Sequence, residues 1–249
     1  MNQIGDVGIA YLANALKINT TIRILNLQKN KIKNEGMISL ADVLQNNQTL
    51  VELDLRYNFI EDSAIDYLGN ALKNNTKLQR LELYGNPNRT MTILGSLIRI
   101  KNDPILKYLD LSGNLITNFG AHRLAEALHD NKTLEVLDLS YNELGDRGIK
   151  YLALVLRNNQ TNEILKFDHN HIDDNDIKHL SELLRNTNMI ILDLSFNQIT
   201  DQGLKYLVDI LRNNRMLNTL DLRYNRIGEQ GAEYLYDALQ ENTVNLIQF

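Results

Sequence analysis

The amino-acid sequence predicts a curved α/β solenoid, with a parallel β-sheet on the inner face and α-helices on the outer one. Three regularities predict it. Nine of the 33 asparagines recur at a near-constant interval: Asn2, Asn30, Asn58, Asn86, Asn114, Asn142, Asn170, Asn197 and Asn225, with gaps of 28 residues broken once by 27. All but the first close a stretch of the form L-x-x-L-x-L-x-x-N, seen cleanly in Leu50, Leu53, Leu55 and Asn58. After the asparagines, apolar residues switch to helical spacing, as in Gly120, Ala121, Leu124, Ala125 and Leu128.

Each part of the unit follows from its period. The L-x-L stretch alternates with period two, so it is a short strand with its leucines turned inward. The second stretch has the i, i+3, i+4, i+7 spacing of one apolar stripe on a helix. Asp6, Asn34, Asp62, Asn118, Asp146, Asp174 and Asp201 sit at the helix starts, where a side-chain oxygen is expected to cap free N–H groups. Neither element buries its apolar face alone, so neighbouring units must stack with the core between sheet and helices. Helices are wider than the roughly 4.8 Å strand spacing, so the stack curves with the strands inside. The recurring asparagine, Asn30 through Asn225, is expected to turn inward and hydrogen-bond backbone at the bend.

A 28-residue unit of this pattern, with a full helix, resembles the leucine-rich repeat proteins of the ribonuclease-inhibitor-like subfamily. That subfamily includes ribonuclease inhibitor, the Ran GTPase-activating proteins and the sensor regions of NOD-like receptors, and similar arrays occur among effectors of intracellular bacteria. The resemblance covers essentially the whole chain. It implies a right-handed horseshoe arc forming a single domain over residues 1–249, with about eight full repeats and truncated repeats at both ends. The chain starts after the strand of its first unit and stops within a ninth strand, where Val244, Ile247 and Phe249 follow Leu217, Leu220 and Leu222 by 27 residues.

Composition narrows the function. The 249 residues carry 26 Lys plus Arg against 31 Asp plus Glu, a net charge of -5, which argues against nucleic acid as the partner. Cysteine is absent, which excludes disulfides, thiolate metal ligands and thiol nucleophiles and fits a reducing, cytoplasmic setting. No signal-peptide pattern or membrane span is read in the chain. Phosphate-binding glycine loops and hydrolase or zinc-protease motifs are also missing, so no enzyme activity, cofactor or metal is expected. The run from Asp168 to Asp174, with His169, His171 and the later His179, is the nearest thing to a metal site. Its members have structural duties in the repeat, and solvated surface is the expected reading. Six N-x-T triplets begin at Asn19, Asn47, Asn74, Asn88, Asn131 and Asn159. Five of them fall at the loop between helix and next strand and read as turns.

Strand positions between the inward leucines face the concave side. Three lanes cross it. A central acidic lane includes Asp54, Glu82, Asp110, Asp138, Lys166, Asp193 and Asp221, either family framework or a surface selected for a basic partner. A lane just before the asparagines holds Lys29, Tyr57, Gly85, Gly113, Tyr141, His169, Phe196 and Tyr224. A third contains Arg80, Tyr108, Val136, Ile164 and Ile191. With Arg56, Tyr84 and Arg223 nearby, this face has the aromatic and arginine composition of interface anchors.

Two repeats depart from the rule. The sixth places Asn162 at a core-leucine position and Lys166 in the acidic lane. The third lacks the helix-start glycine and carries Leu94 and Ile98 at outward helix positions, where they could form an exposed convex patch or be buried by a shifted helix. The function expected is a protein-binding module, monomeric or in a heterodimer. By resemblance, its concave face is expected to inhibit or sequester a partner protein, most concretely an enzyme with a basic surface. Richness in Asn, Ile and Lys hints at an AT-rich genome, and a secreted bacterial effector would work in a host cytosol. The resemblance leaves two alternatives: GTPase activation of the Ran type, and the ligand-sensing segment of a larger receptor.

Overall fold

The computed structural model describes residues 2–72, 74–86, 105–185, 187–240 and 246–248. Nine strands of three residues form one parallel sheet in sequence order: β1 Ile24–Asn26, β2 Glu52–Asp54, β3 Arg80–Glu82, β4 Tyr108–Asp110, β5 Val136–Asp138, β6 Ile164–Lys166, β7 Ile191–Asp193, β8 Thr219–Asp221 and β9 Leu246–Gln248. Register follows the repeat, so Leu53, Leu81, Leu109, Leu137, Leu165, Leu192 and Leu220 form one buried row. Eight helices are described on the other side: α1 Asp6–Ile18, α2 Asn34–Leu44, α3 Asp62–Leu72, α4 Asn118–Leu128, α5 Gly145–Leu156, α6 Asp174–Leu184, α7 Asp201–Leu211 and α8 Glu229–Leu239. Leu94 and Ile98 lie outside the described residues, as do Val244 and Phe249.

The expected asparagine turns inward in each unit and acts as a rung between neighbours. Asn58 Nδ2 donates to the carbonyls of Leu55 in its own unit and Leu27 in the preceding one, at 2.9 and 3.0 Å, while its Oδ1 accepts from Ile32 N–H at 3.2 Å. Asn86, Asn142, Asn197 and Asn225 repeat the arrangement, and Asn30 accepts from Ile4 N–H while donating to Leu27 O of its own unit. Asn114 donates to Ser112 O, and Asn170 donates to Leu139 and Phe167 O. Buried backbone groups that a bend would leave unpaired are thereby satisfied.

At the opposite end of the unit lies a second ladder that the triplet reading missed. Asn47 Oδ1 accepts from the N–H groups of Thr49 and Leu50, and its Nδ2 donates to Leu16 O in the preceding repeat. Asn75 and Asn214 do the same one and six units later, donating to Leu44 O and Leu184 O. Asn159 donates to Asn131 O, the ladder asparagine one repeat back, as Asn75 also does to Asn47 O. In the third unit the ladder residue is Asn75, and Asn74, which begins the triplet, only precedes it.

The helix-start oxygens bond differently from the expectation. Asp6, Asn34, Asn118, Asp174 and Asp201 do not cap their own helices; each accepts an N–H of the following repeat, from Lys33, Glu61, Gly148, Thr200 and Gly228, at 2.7–2.8 Å. The physical reason is their position: they are the first helical residues, not the ones before, so their side chains reach along the stack. Glycine makes room for them. A Cβ on Gly36 would lie 2.6 Å from Asp6 Oδ1, and one on Gly203 would lie 2.4 Å from Asp174 Oδ1.

Candidate protein-binding face

The lane before the asparagines is held in the left-handed region. Lys29, Tyr57, Tyr141, His169, Phe196 and Tyr224 have φ between 53° and 56°, and Gly85 and Gly113 complete the lane at 67° and 60°. This turn points each asparagine inward. It costs a non-glycine residue about 1–2 kcal/mol, so bulky rings here are retained against backbone preference.

Those rings stack. Tyr141, His169, Phe196 and Tyr224 form a column with centroid separations of 3.9, 4.2 and 4.1 Å and interplanar angles of 14°, 16° and 19°. The expectation of separate exposed anchors is therefore refined: ring faces pack on neighbours, and ring edges remain exposed, with Tyr141 at 49% and Phe196 at 41%. At the other end Tyr57 and Tyr84 meet edge to face at 4.9 Å, and Tyr84 covers the space above Gly113. Arg80 lies over the Tyr108 ring, 3.6 Å from its centroid.

The acidic lane sits lower than alternation implies. Asp110, Asp138 and Asp221 are buried, although they lie between core leucines. Asp110, Asp138, Asp193 and Asp221 each accept from the N–H two positions on, of Ser112, Ser140, Ser195 and Arg223 in turn. Cations complete the network. Arg56 bridges Asp54 and Glu82, both at 2.7 Å, and Arg223 pairs with Asp221 at 2.6 Å. Lys166 crosses to Asp138 at 2.8 Å. Burial works to lower the Lys166 pKa, but the bond and charge of Asp138 outweigh it and the ammonium is held. Burial lifts the Asp110 and Asp193 carboxyls above their ordinary range, against the hydrogen bonds from Ser112 and Ser195. Glu52, Asp54, Glu82, Asp110, Asp138, Asp168, Asp193 and Asp221 still outnumber Arg56, Arg80, Lys166 and Arg223, so the face is net negative.

Beside this lane Tyr108, Val136, Ile164 and Ile191 lie in register and half-buried. The run from Asp168 to Asp174 does not converge: His169 stacks and meets Asp168 at 3.0 Å, His171 faces Gln198, Asp173 caps α6, and Asp174 bonds Thr200. On the helical side, sequence reasoning missed a further row. His122 packs on Tyr151 at 4.1 Å, and Lys178 and Lys205 lie over Tyr206 and Tyr234. Among the described residues no helix is long and apolar enough to cross a membrane.

A family model described as leucine-rich repeat matches residues 19–41, 46–69, 130–153, 185–208 and 213–235. No curated protein matches the chain in sequence. Among solved structures, internalin C2 of Listeria monocytogenes is similar at 20% identity, covering 96% of this chain and 91% of that one, with a TM-score of 0.59. Actin-binding site 2 of leiomodin-1 is similar over 53% of this chain and 77% of that one, at 16% identity and a TM-score of 0.48.

Proposed function

Because the chain is a leucine-rich repeat protein, a class that generally mediates protein–protein interaction, we propose that it binds a partner protein through its concave sheet face. The column Tyr141–His169–Phe196–Tyr224 carries this reading: rings kept in a disfavoured backbone region present their edges to solvent. Beside it, Val136, Ile164 and Ile191 supply aliphatic surface, and the net negative lane favours a partner bearing Lys or Arg. The finer reading is an inhibitor or sequestering partner, not itself an enzyme. It would cover the active site of an enzyme with a basic surface in the cytoplasm, or in a host cytosol if the chain is a bacterial effector.

The test is an affinity capture from cytosol with the chain as bait, followed by mass spectrometry and a binding isotherm. A stoichiometric enzyme should be retained and inhibited, and the Tyr141→Ala/Phe196→Ala variant should lose about tenfold or more in affinity. A folded double variant with unchanged affinity would remove the concave face from consideration.

A further inference from the structure

Away from the sheet, one corner of the solenoid has the opposite charge. The loop after β1 reads Lys29-Asn30-Lys31-Ile32-Lys33, and alternation leaves all three lysines exposed while Asn30 and Ile32 are buried. On the adjacent loop, Tyr57 and Phe59 are 43% and 52% exposed. Phe59 N–H donates to Ile32 O at 2.8 Å, which pins the two loops side by side. Lys29, Lys31, Tyr57, Phe59 and Gln3 line a hollow of about 550 Å³ between them.

The cations here differ from those of the sheet. Arg56, Arg80, Lys166 and Arg223 are all spent on carboxylates of the same face. None of Lys29, Lys31 and Lys33 forms an ion pair among the described residues: Lys29 Nζ lies 5.1 Å from the Tyr57 centroid, and Lys31 Nζ donates to Gln3 Oε1 at 3.0 Å. Two unneutralised charges, Lys29 and Lys31, therefore border an aromatic hollow, and the exposed Lys33 follows on the same loop. Isolated surface lysines are ordinary; lysines placed around two exposed rings and a cavity of ligand-pocket size are a composite site.

We propose that this corner docks an acidic peptide segment of a partner protein, with one large apolar side chain in the hollow and flanking carboxylates on Lys29, Lys31 and Lys33. The apolar side chain gains the ring surfaces of Tyr57 and Phe59, and the carboxylates gain the three ammonium groups without displacing an internal ion pair. A nucleic acid fits less well: a long polyanion leaving the corner meets Glu52 and Asp54 on the neighbouring strand, in a chain of net charge -5. The site lies at the end of the lane that carries the ring column, with Tyr57 three repeats from Tyr141, and it shares no residue with that column.

The experiment is selection of a random displayed-peptide library on the whole chain, followed by fluorescence anisotropy with the recovered peptides. Peptides with Asp or Glu flanking an aromatic or Leu residue are expected. Binding should weaken about tenfold or more with Lys31→Glu/Lys33→Glu, separately with Phe59→Ser, and with rising salt. All these positions are solvent-facing, and circular dichroism confirms folding of each variant. The Tyr141→Ala/Phe196→Ala variant should bind the peptides unchanged, which separates this site from the concave one. No enrichment, enrichment of non-acidic peptides, equal binding by the lysine and Phe59 variants, or tighter binding of a single-stranded oligonucleotide at the same site would each overturn the proposal.

Discussion

His169 and Phe196, one repeat apart, stack at a centroid distance of 4.2 Å while both hold a left-handed backbone, φ 54° and 53°. Stacking and backbone strain therefore oppose each other at one residue, and the two can be separated by substitution. Phe196→Ala loses both ring contacts, about 0.5–1.5 kcal/mol each, and keeps the strain. Phe196→Gly loses the same contacts but relieves about 1 kcal/mol. Urea unfolding should rank glycine above alanine here, the reverse of the usual order. Alanine the more stable of the two would refute the strain.

Asp176 stands where Gly36, Gly148, Gly203 and Gly231 start their helices. Its side chain is 1% exposed, and burial, with the charges of Asp173 and Asp146 adding, lifts its pKa to about 7. The folded pKa is raised above the unfolded value, so this contribution is fully present below about pH 4 and lost as pH rises through 7. The loss amounts to at most about 4 kcal/mol. Asp176→Asn, which can still accept from Asp173 N–H, should flatten that slope in unfolding free energies measured from pH 5 to 8. A variant with the parent's slope would show that another group is responsible.

Asn162 occupies a position filled elsewhere by Leu50, Leu78, Leu106, Leu134, Met189 and Leu217. Its Nδ2 donates to Leu134 O at 2.7 Å, but its buried Oδ1 has no partner. Asn162→Leu removes that polar atom and restores the apolar layer, so it should raise the unfolding free energy by about 1–2 kcal/mol. A lower midpoint at unchanged slope would mean that the bond to Leu134 outweighs the orphaned oxygen.

Asn142 is a fully occupied rung: Nδ2 donates to Leu111, Leu139 and Ser140 O, and Oδ1 accepts from Asn114 and Ile116 N–H. Asn142→Ala strands several buried backbone groups in two repeats and should cost about 3 kcal/mol or more. Asn225, part-exposed near the end of the array, should cost less on the same substitution. Equal losses in thermal unfolding would contradict a burial-dependent rung.

Period alone made the nine strands, the described helices, the leucine row and the inward asparagines readable. The second ladder was equally available, since Asn19, Asn47, Asn75, Asn131 and Asn159 are spaced by multiples of 28. It read only as a row of turns, because the bonds to the N–H groups two and three residues on are local, whereas the bond to the preceding repeat depends on how closely the repeats stack. The helix-start oxygens were placed correctly along the chain but assigned to the wrong helix, because a one-residue offset decides whether a side chain caps its own turn or reaches its neighbour. The lanes of the binding face were legible as alternation. Ring stacking and the burial of the acidic lane were not, because both depend on the distance between successive repeats and on the left-handed turn at each lane residue.

The sixth repeat gathers faults in both asparagine ladders and in the glycine row. Thr187 replaces the ladder asparagine and leaves its Oγ1 unpartnered, Asn170 Oδ1 has no donor, Asp176 fills the glycine space, and the missing residue falls between Thr187 and Met189. His169 belongs to that repeat and stacks on both sides within the ring column, so the column crosses the array where its framework is least regular. A partner docked on the column as proposed would therefore touch this irregular repeat and the regular ones on either side of it at once.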